Sequence, residues 1–344
     1  MTLDEKYMKR AIELAKRGEG LTRPNPPVGA VLVIDDQIIA EGWHHKAGED
    51  HAERDCLGKL PPIAATLQQA TLYITLEPCS THGRTPPCTN LILEKGIGRV
   101  VVSVVDLNPQ HAGRGLDLLK EAGVEVVSGV CEVEGRALIA PFEKFITTGL
   151  PYVTLKLAST LDGKIADSEG NSKWLTGAEA RERVQEMRRR TDAVMVGSAT
   201  VFADNPSLLP RPADGRNPWR IIIGKEIPSN STVLTDEAAE QTLVRTGKLE
   251  EILKELARDH GIMDVLCEGG GKLAAGLVEA GLVDEFAFFI APKLMGADGL
   301  PNFAKMGGLI GDVENLVFQS VERVGNDILI KAKPTRRRVG SDDG

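Results

Sequence analysis

Two stretches of the chain hold residues whose types and spacing can do chemistry: His51-Ala52-Glu53, and the run Pro78-Cys79-Ser80-Thr81-His82-Gly83-Arg84-Thr85-Pro86-Pro87-Cys88. One imidazole and two thiolates can hold a zinc ion while leaving its fourth tetrahedral position to water, and that open position separates a catalytic zinc from a structural one. Zinc lowers the pKa of such a water toward neutrality, so hydroxide becomes available as a nucleophile. Glu53, two residues beyond His51, then suits the transfer of a proton from the water to a leaving group. His51, Cys79 and Cys88 are the candidate zinc ligands, and Glu53 the candidate acid/base.

Each piece also has an ordinary reading. A histidine near a helix start can be a cap, and cysteine is among the most buried residue types. Cys56, Cys131 and Cys267 lack a ligand-like setting and read as core. Cys79 and Cys88 lie in a loop punctuated by proline and glycine, where a buried apolar cysteine is not expected. Cys88 also precedes a helix expected over 89–95, whose N-terminus favours a thiolate. The joint motif, rather than any one residue, carries the metal reading.

Regular elements must bring these residues together. The spacing of Tyr7, Ala11, Leu14 and Ala15 predicts a helix over 4–17. A proline-rich segment, Thr22 to Gly29, follows and is rigid enough to hold a side chain at a site. Asn25 is its candidate, offering a donor and an acceptor to a base edge, although a turn asparagine bonding its own backbone reads equally well. Strands over 30–34 and 37–41 form a hairpin at Asp35-Asp36. His44 and His45 come next, and one of them faces the cleft. A short helix is expected over 51–57, a strand over 71–76 leading into the cysteine loop, a buried strand over 99–105, a helix over 114–122 and a strand over 124–128. Such alternation predicts a largely parallel sheet covered by helices. Ligands then bind beyond the carboxyl ends of the strands, where the cysteine loop and Asp106-Leu107-Asn108-Pro109 both emerge. A helix over 132–147 breaks near Pro141.

Gly149-Leu150-Pro151 marks a boundary, and a second alternating pattern follows it. Strands are expected over 152–157, 193–197, 220–223, 242–246, 264–268, 286–291, 316–321 and 327–331, with helices over 178–190, 249–259 and 272–280. Glu268-Gly269-Gly270-Gly271-Lys272 joins a strand to a helix, where backbone N–H groups and the helix dipole can hold a phosphate. The dinucleotide spacing of glycines is absent, so the turn alone is a weak signal. Thr160 to Lys164, Ser172-Lys173-Trp174, Arg188 and Thr200 to Pro206 add hydroxyls, cations and an aromatic plane at element ends. The set suits a phosphorylated substrate and a nicotinamide cofactor.

Composition bounds the reading. The chain has 344 residues, enough for two cores, and a formal charge of -8, which argues against a general nucleic-acid binder. No apolar run is long enough to span a membrane, and the start lacks a signal-peptide core. Five cysteines, partly used as metal ligands, fit a reducing compartment, and a cytoplasmic protein is expected. The polar end, 335–344, reads as a disordered tail.

Taken together, these residues resemble the bifunctional deaminase and reductase of riboflavin biosynthesis over nearly the whole chain. The deaminase markers are Pro24-Asn25-Pro26 with Val28-Gly29, His51-Ala52-Glu53, and Thr75-Leu76-Glu77-Pro78-Cys79 followed, after eight intervening residues, by Cys88. Cytidine and transfer-RNA deaminases share only H-x-E and a closer cysteine pair. The reductase markers are Lys156, Leu161 to Lys164, Trp174 to Gly177, Thr200-Val201 with Asp204-Asn205-Pro206, Glu268-Gly269-Gly270 and Ala291 to Leu294.

The resemblance implies a cytidine-deaminase-like three-layer α/β/α domain over 1–148 and a dihydrofolate-reductase-like α/β domain over 149–334. It implies a zinc ion and NADPH as cofactors, phosphorylated pyrimidines as substrates and a homo-oligomer. Asn25, His44, Arg84, Asp106 and Asn108 match positions that hold the deaminase substrate. Ala158, Trp174, Thr200, Asp204 and the run Gly270, Gly271, Lys272, Leu273, Ala274, Ala275, Gly276 match cofactor positions. Ser172, Arg188, Leu208, Arg211 and Glu268 match reductase substrate positions. The chain departs from the family at Thr81, at Leu107, and at Ile223-Gly224, where an aspartate is common. Two alternatives to a bifunctional enzyme are a deaminase with an inactive second half and a zinc-stabilised module without catalysis.

Overall fold

The computed structural model describes residues 1–60, 67–82, 86–108, 112–212, 216–304, 306 and 314–335. Two compact units divide the chain, Met1–Gly149 and Leu150–Gly344. The expected tail lies outside the described residues from 336 onward.

The first unit runs α1 (Leu3–Ala15), β1 (Gly29–Ile34), β2 (Gln37–Trp43), α2 (Ala52–Gly58), β3 (Thr71–Leu76), α3 (Cys88–Glu94), β4 (Arg99–Val104), α4 (Arg114–Glu121), β5 (Glu125–Ser128) and α5 (Glu132–Thr148). Its sheet has the order β2-β1-β3-β4-β5. β1 is antiparallel to β2 and β3, whereas β3, β4 and β5 are parallel. The largely parallel sheet expected here is therefore mixed. Its cause is the hairpin: Asp35 and Asp36 both take positive φ, 47° and 58°, as a primed two-residue turn requires.

Alternation along β1 sorts the core into two faces. Ala30 and Leu32 pack with Cys56, Leu57, Ile92 and Leu119, so α2, α3 and α4 cover one face. Val31 and Val33 pack with Tyr7, Met8 and Ala11 of α1 on the other. On the α1 side, Leu138 and Ile139 of α5 pack with Leu76 and Val104. That packing carries α5 unbroken past Pro141, where a break was expected, although the proline removes a helix hydrogen bond. Cys131 sits half-buried at the N-terminus of α5, packed against the core on the α1 side.

The second unit runs β6 (Tyr152–Thr160), β7 (Lys164–Ala166), α6 (Ala178–Arg190), β8 (Ala193–Gly197), α7 (Ser198–Asp204), β9 (Trp219–Ile223), α8 (Thr232–Thr235), β10 (Thr242–Arg245), α9 (Leu249–His260), β11 (Asp264–Cys267), α10 (Gly271–Glu279), β12 (Glu285–Ala291), β13 (Leu300–Pro301), β14 (Leu316–Val324) and β15 (Asp327–Pro334). The main sheet has the order β10-β9-β8-β11-β6-β12-β15-β14. From β10 to β12 every pairing is parallel, and β15 and β14 are added antiparallel at one side. Leucines of α9 and α10 pack with Val153, Leu155, Met195 and Val265 on one face. Ala180 and Val184 of α6 pack with Ala287 and Phe289 on the other. The sequence pattern did not anticipate α7, α8 or the small β7–β13 ribbon, all too short to express a period.

Candidate active sites

In the first unit three elements end at one place. His51 is the N-cap residue of α2, with an extended backbone and a ring that makes no capping bond. Leu76 ends β3 and hands the chain to Cys79, while Cys88 is the first residue of α3 rather than the residue before it. Nδ1 of His51 stands 3.7 Å from Cys79 Sγ and 3.5 Å from Cys88 Sγ. A zinc ion bound at tetrahedral angles to one nitrogen and two sulfurs sets N···S separations of about 3.6 Å. All three donor atoms lie within 4.8 Å of one another, so the residues fit the ion. The backbone N–H of Cys88 donates to Cys79 Sγ at 3.3 Å, fixing one sulfur from the other ligand's own chain.

Charge is distributed unevenly over this cluster. The hydrogen bond with Cys88 draws the Cys79 thiol well below the usual thiol range, and the same contact pushes Cys88 up. His51 is raised chiefly by its bond with Cys79. Glu53 sits in the first turn of α2, 3 % exposed, and burial pushes its carboxyl up to about 7.

Asn25 and His44, from separate segments, meet: Asn25 Nδ2 is 3.1 Å from His44 Nε2, and His44 Nδ1 is 2.9 Å from the Asp50 carbonyl. That carbonyl assigns the ring proton to Nδ1 and leaves Nε2 to accept from the Asn25 amide. Burial lowers the His44 pKa, in keeping with the neutral ring. The His44 and His51 rings meet edge to face at 5.4 Å between centroids, so the Asn25 pair borders the metal ligands. Beyond β4, Asp106 is buried and its Oδ1 accepts the Asn108 N–H at 2.8 Å. Arg84 lies outside the described residues.

In the second unit the parallel strands β6, β8, β9, β11 and β12 open their carboxyl ends on one edge. There, Glu268 is gripped by Arg188 through two bonds of 2.6 and 3.1 Å, with Lys156 Nζ 3.8 Å away. Burial opposes the Glu268 charge, but these two cations outweigh it and hold the carboxyl below its usual range. Two residues matched to substrate positions are thus partners of each other. Leu208 is 2 % exposed and packs in the core with Val194, Val196 and Ile222.

The glycine turn divides by function. A Cβ on Gly271 would press on the backbone of Pro301, Asn302 and Ala304 at 3.0 to 3.3 Å, whereas one on Gly270 would meet only Thr200 Oγ1 at 3.9 Å. Protein packing accounts for Gly271; Gly270 faces open space. Leu273, Ala274 and Ala275 are buried, and the Ala274 N–H already bonds the Gly270 carbonyl. Only the first turn of α10 can offer N–H groups to a ligand.

Trp174 is 67 % exposed yet held firmly. Lys293, after β12, donates to the Trp174 and Leu175 carbonyls at 2.9 and 2.7 Å. The Arg181 guanidinium lies 4.5 Å from the ring centre, and the Gly177 N–H bonds Asp327 at 2.7 Å. Lys173 reaches Asp204 at 3.7 Å, joining this loop to α7. Lys293, Arg181 and Asp327 had no assigned role in the sequence, and only the Lys293 motif could have flagged one of them.

Known proteins match this arrangement. Residues 151–330 match the RibD C-terminal domain, and residues 1–104 match the cytidine and deoxycytidylate deaminase zinc-binding region. A riboflavin biosynthesis protein RibD from Bacillus amyloliquefaciens is 40 % identical over 99 % of both chains. The chain belongs to the RibD family of riboflavin biosynthesis proteins. RibD of Escherichia coli K12 is 39 % identical, over 95 % of this chain and 98 % of that one. Among solved structures, Acinetobacter baumannii RibD superposes with a TM-score of 0.88 at 37 % identity, covering 97 % of this chain and 99 % of that one. A diaminohydroxyphosphoribosylaminopyrimidine deaminase/5-amino-6-(5-phosphoribosylamino)uracil reductase from Thermotoga maritima gives 0.87 at 39 %, covering 96 % and 99 %. The chain is accordingly a deaminase and a reductase, with a cytidine-deaminase-like fold followed by a dihydrofolate-reductase-like one. A zinc-stabilised module without catalysis is set aside. Among the described residues no helix is long and apolar enough to cross a membrane.

Proposed function

We propose that the first unit deaminates 2,5-diamino-6-(5-phosphoribosylamino)pyrimidin-4(3H)-one by hydrolysis and that the second reduces the ribosyl side chain of the product to ribityl with NADPH. The observation that carries the first step is the convergence of His51, Cys79 and Cys88 beside buried Glu53. His51, Cys79 and Cys88 would hold a zinc ion, which when bound would supply an acidified water. Glu53 takes that water's proton at its carboxylate and delivers it to the departing ammonia. Asn25, oriented by His44, presents its amide to the pyrimidine edge, and Asp106 and Asn108 hold the ribose phosphate end together with Arg84.

For the second step, the N–H groups at Gly270, Gly271 and Lys272 receive a cofactor phosphate, and open space beside Gly270 supports that reading. Trp174, Thr200, Asp204 and Ala158 complete the cofactor side. NADPH supplies a hydride when bound. Ser172, Arg211, Leu208 and the Arg188–Glu268 pair take the sugar phosphate. The exposed Val317, Phe318 and Val321 on edge strand β14 support association with a second copy, testable by light scattering. Five free cysteines support a reducing, cytoplasmic setting.

Ammonia release and NADPH absorbance, followed separately on the pyrimidine substrate, test the reading. Ammonia should appear without NADPH, and NADPH should be consumed only after deamination. Oxidation of NADPH with no ammonia formed would overturn the order of steps.

A further inference from the structure

Glu77 is a buried carboxyl group between the two halves of the deaminase site, 5 % exposed, and the chemistry above does not use it. It follows β3, its own N–H bonds the Val104 carbonyl at 2.9 Å, and Pro78 and Cys79 come next in the chain. Its side chain takes three backbone N–H groups from the far side of β4. Oε2 accepts from Asp106 at 3.1 Å and from Gly113 at 2.9 Å, and Oε1 accepts from Gly115 at 2.9 Å. Gly113 and Gly115 belong to the start of α4, where the helix dipole favours a carboxylate. A Cβ on Gly115 would overlap the Pro78 carbonyl, so glycine there is what lets the helix end reach Glu77. From Asp106 the chain of bonds continues to the Asn108 N–H.

We propose that Glu77 is a positioning residue for deamination: it locks the Asp106–Asn108 segment to the Pro78–Cys79 segment, and so sets where the ribose phosphate end of the substrate lies relative to the zinc ligands. The inference rests on the reading of Asp106 and Asn108 as substrate contacts. A backbone clamp of this kind offers three N–H partners to two oxygens, which a carboxylate satisfies and an amide does not, because an amide's NH₂ group must face one of the N–H groups.

The test uses the full zinc-loaded chain and the pyrimidine substrate. Glu77→Gln should raise the deaminase KM roughly tenfold, the size expected for losing a hydrogen bond to a charged group, with kcat within about threefold and zinc content unchanged. Asn108→Ala should raise KM as well. The double variant should be no worse than the more impaired single one, because Glu77 acts through the segment that Asn108 belongs to. Additive effects would overturn the proposal, and so would loss of zinc or a fall confined to kcat in Glu77→Gln. An unchanged KM in Asn108→Ala would remove the substrate reading and the proposal with it. If that KM rises while Glu77→Gln behaves as wild type, only the proposal fails. Should Glu77→Gln not fold, Glu77→Asp, which keeps the charge but cannot span all three donors, is judged by the same outcomes.

Discussion

The two units build their sites in opposite ways. In the first, side chains from the loop after β3 and from the starts of α2 and α3 converge so closely that the three candidate metal-binding atoms lie within 4.8 Å of one another, with Glu53 buried alongside. In the second, most of the apparatus is loop backbone at the carboxyl edge of a parallel sheet, tied down by ion pairs such as Arg188–Glu268 and Lys173–Asp204. The difference follows from the ligands. A metal ion needs a few specific atoms at fixed distances, which short helices and a strand end can supply. The dinucleotide and sugar phosphate proposed for the second unit would need many backbone donors and open surface, for which the glycine turn and exposed Trp174 are the candidates.

The largest expected effects therefore come from single side chains of the first unit. Cys88→Ser should lose the zinc and reduce ammonia release to background, while reduction of supplied uracil intermediate persists; metal analysis and the two assays check it. Retained zinc with full turnover would break the ligand assignment. Glu53→Gln should keep the zinc and slow ammonia release by about 10²- to 10⁴-fold, the contribution of a general acid/base. A parallel collapse of reduction in this variant would mean that the units do not work separately.

The same contrast explains what could be read from the chain alone. His51, Cys79 and Cys88 were legible as a group because metal chemistry restricts residue type, β3 and β8 because their apolar runs are continuous, and α6 because Ala180, Val184 and Met187 recur at helical spacing. Glu77 was visible as a residue but not as a clamp, since its partners are N–H groups 29 to 38 positions away, which no side-chain pattern marks. Arg188 looked like a free phosphate ligand because nothing in its neighbourhood of the sequence announces Glu268, 80 positions on. The mixed sheet of the first unit was masked by strands that read alike in either direction.

In the second unit the predicted effects are smaller and fall on stability as well as binding. Arg188→Ala should raise the KM for the uracil intermediate, but it also leaves the buried Glu268 carboxylate with Lys156 alone of its two cations, a loss of up to about 3–5 kcal/mol for a broken buried pair. Its thermal transition should fall by on the order of 10 °C, and Arg188→Ala/Glu268→Gln should recover part of that. No recovery would mean the pair is not the source of the loss. Gly270→Val should leave the melting temperature nearly unchanged while weakening NADPH roughly 10- to 100-fold, the range for losing one charge-assisted hydrogen bond. Gly271→Val should instead lower the melting temperature even without NADPH, because its Cβ meets the backbone of 301–304. If the two variants behave alike, the division drawn within this turn is wrong.

The smallest effect should come from Lys293, whose two bonds go to the carbonyls of Trp174 and Leu175 and not to any ligand. An exposed tryptophan held at its backbone by one cation and at its ring by Arg181 loses little entropy when a flat ligand group settles on its open face. Lys293→Met keeps the length and the apolar stem of the side chain but removes both donors, so the loop around 172–177 should loosen without unfolding the unit. NADPH affinity should fall only a few-fold, as expected for hydrogen bonds near the surface, and Trp174 should become more accessible to a collisional quencher. The deaminase serves as an internal control and should be unaffected. Trp174→Ala separates two explanations of a negative result. If it weakens NADPH while Lys293→Met does not, the ring matters and its anchoring does not. If neither variant changes binding, Trp174 is not part of the cofactor side at all.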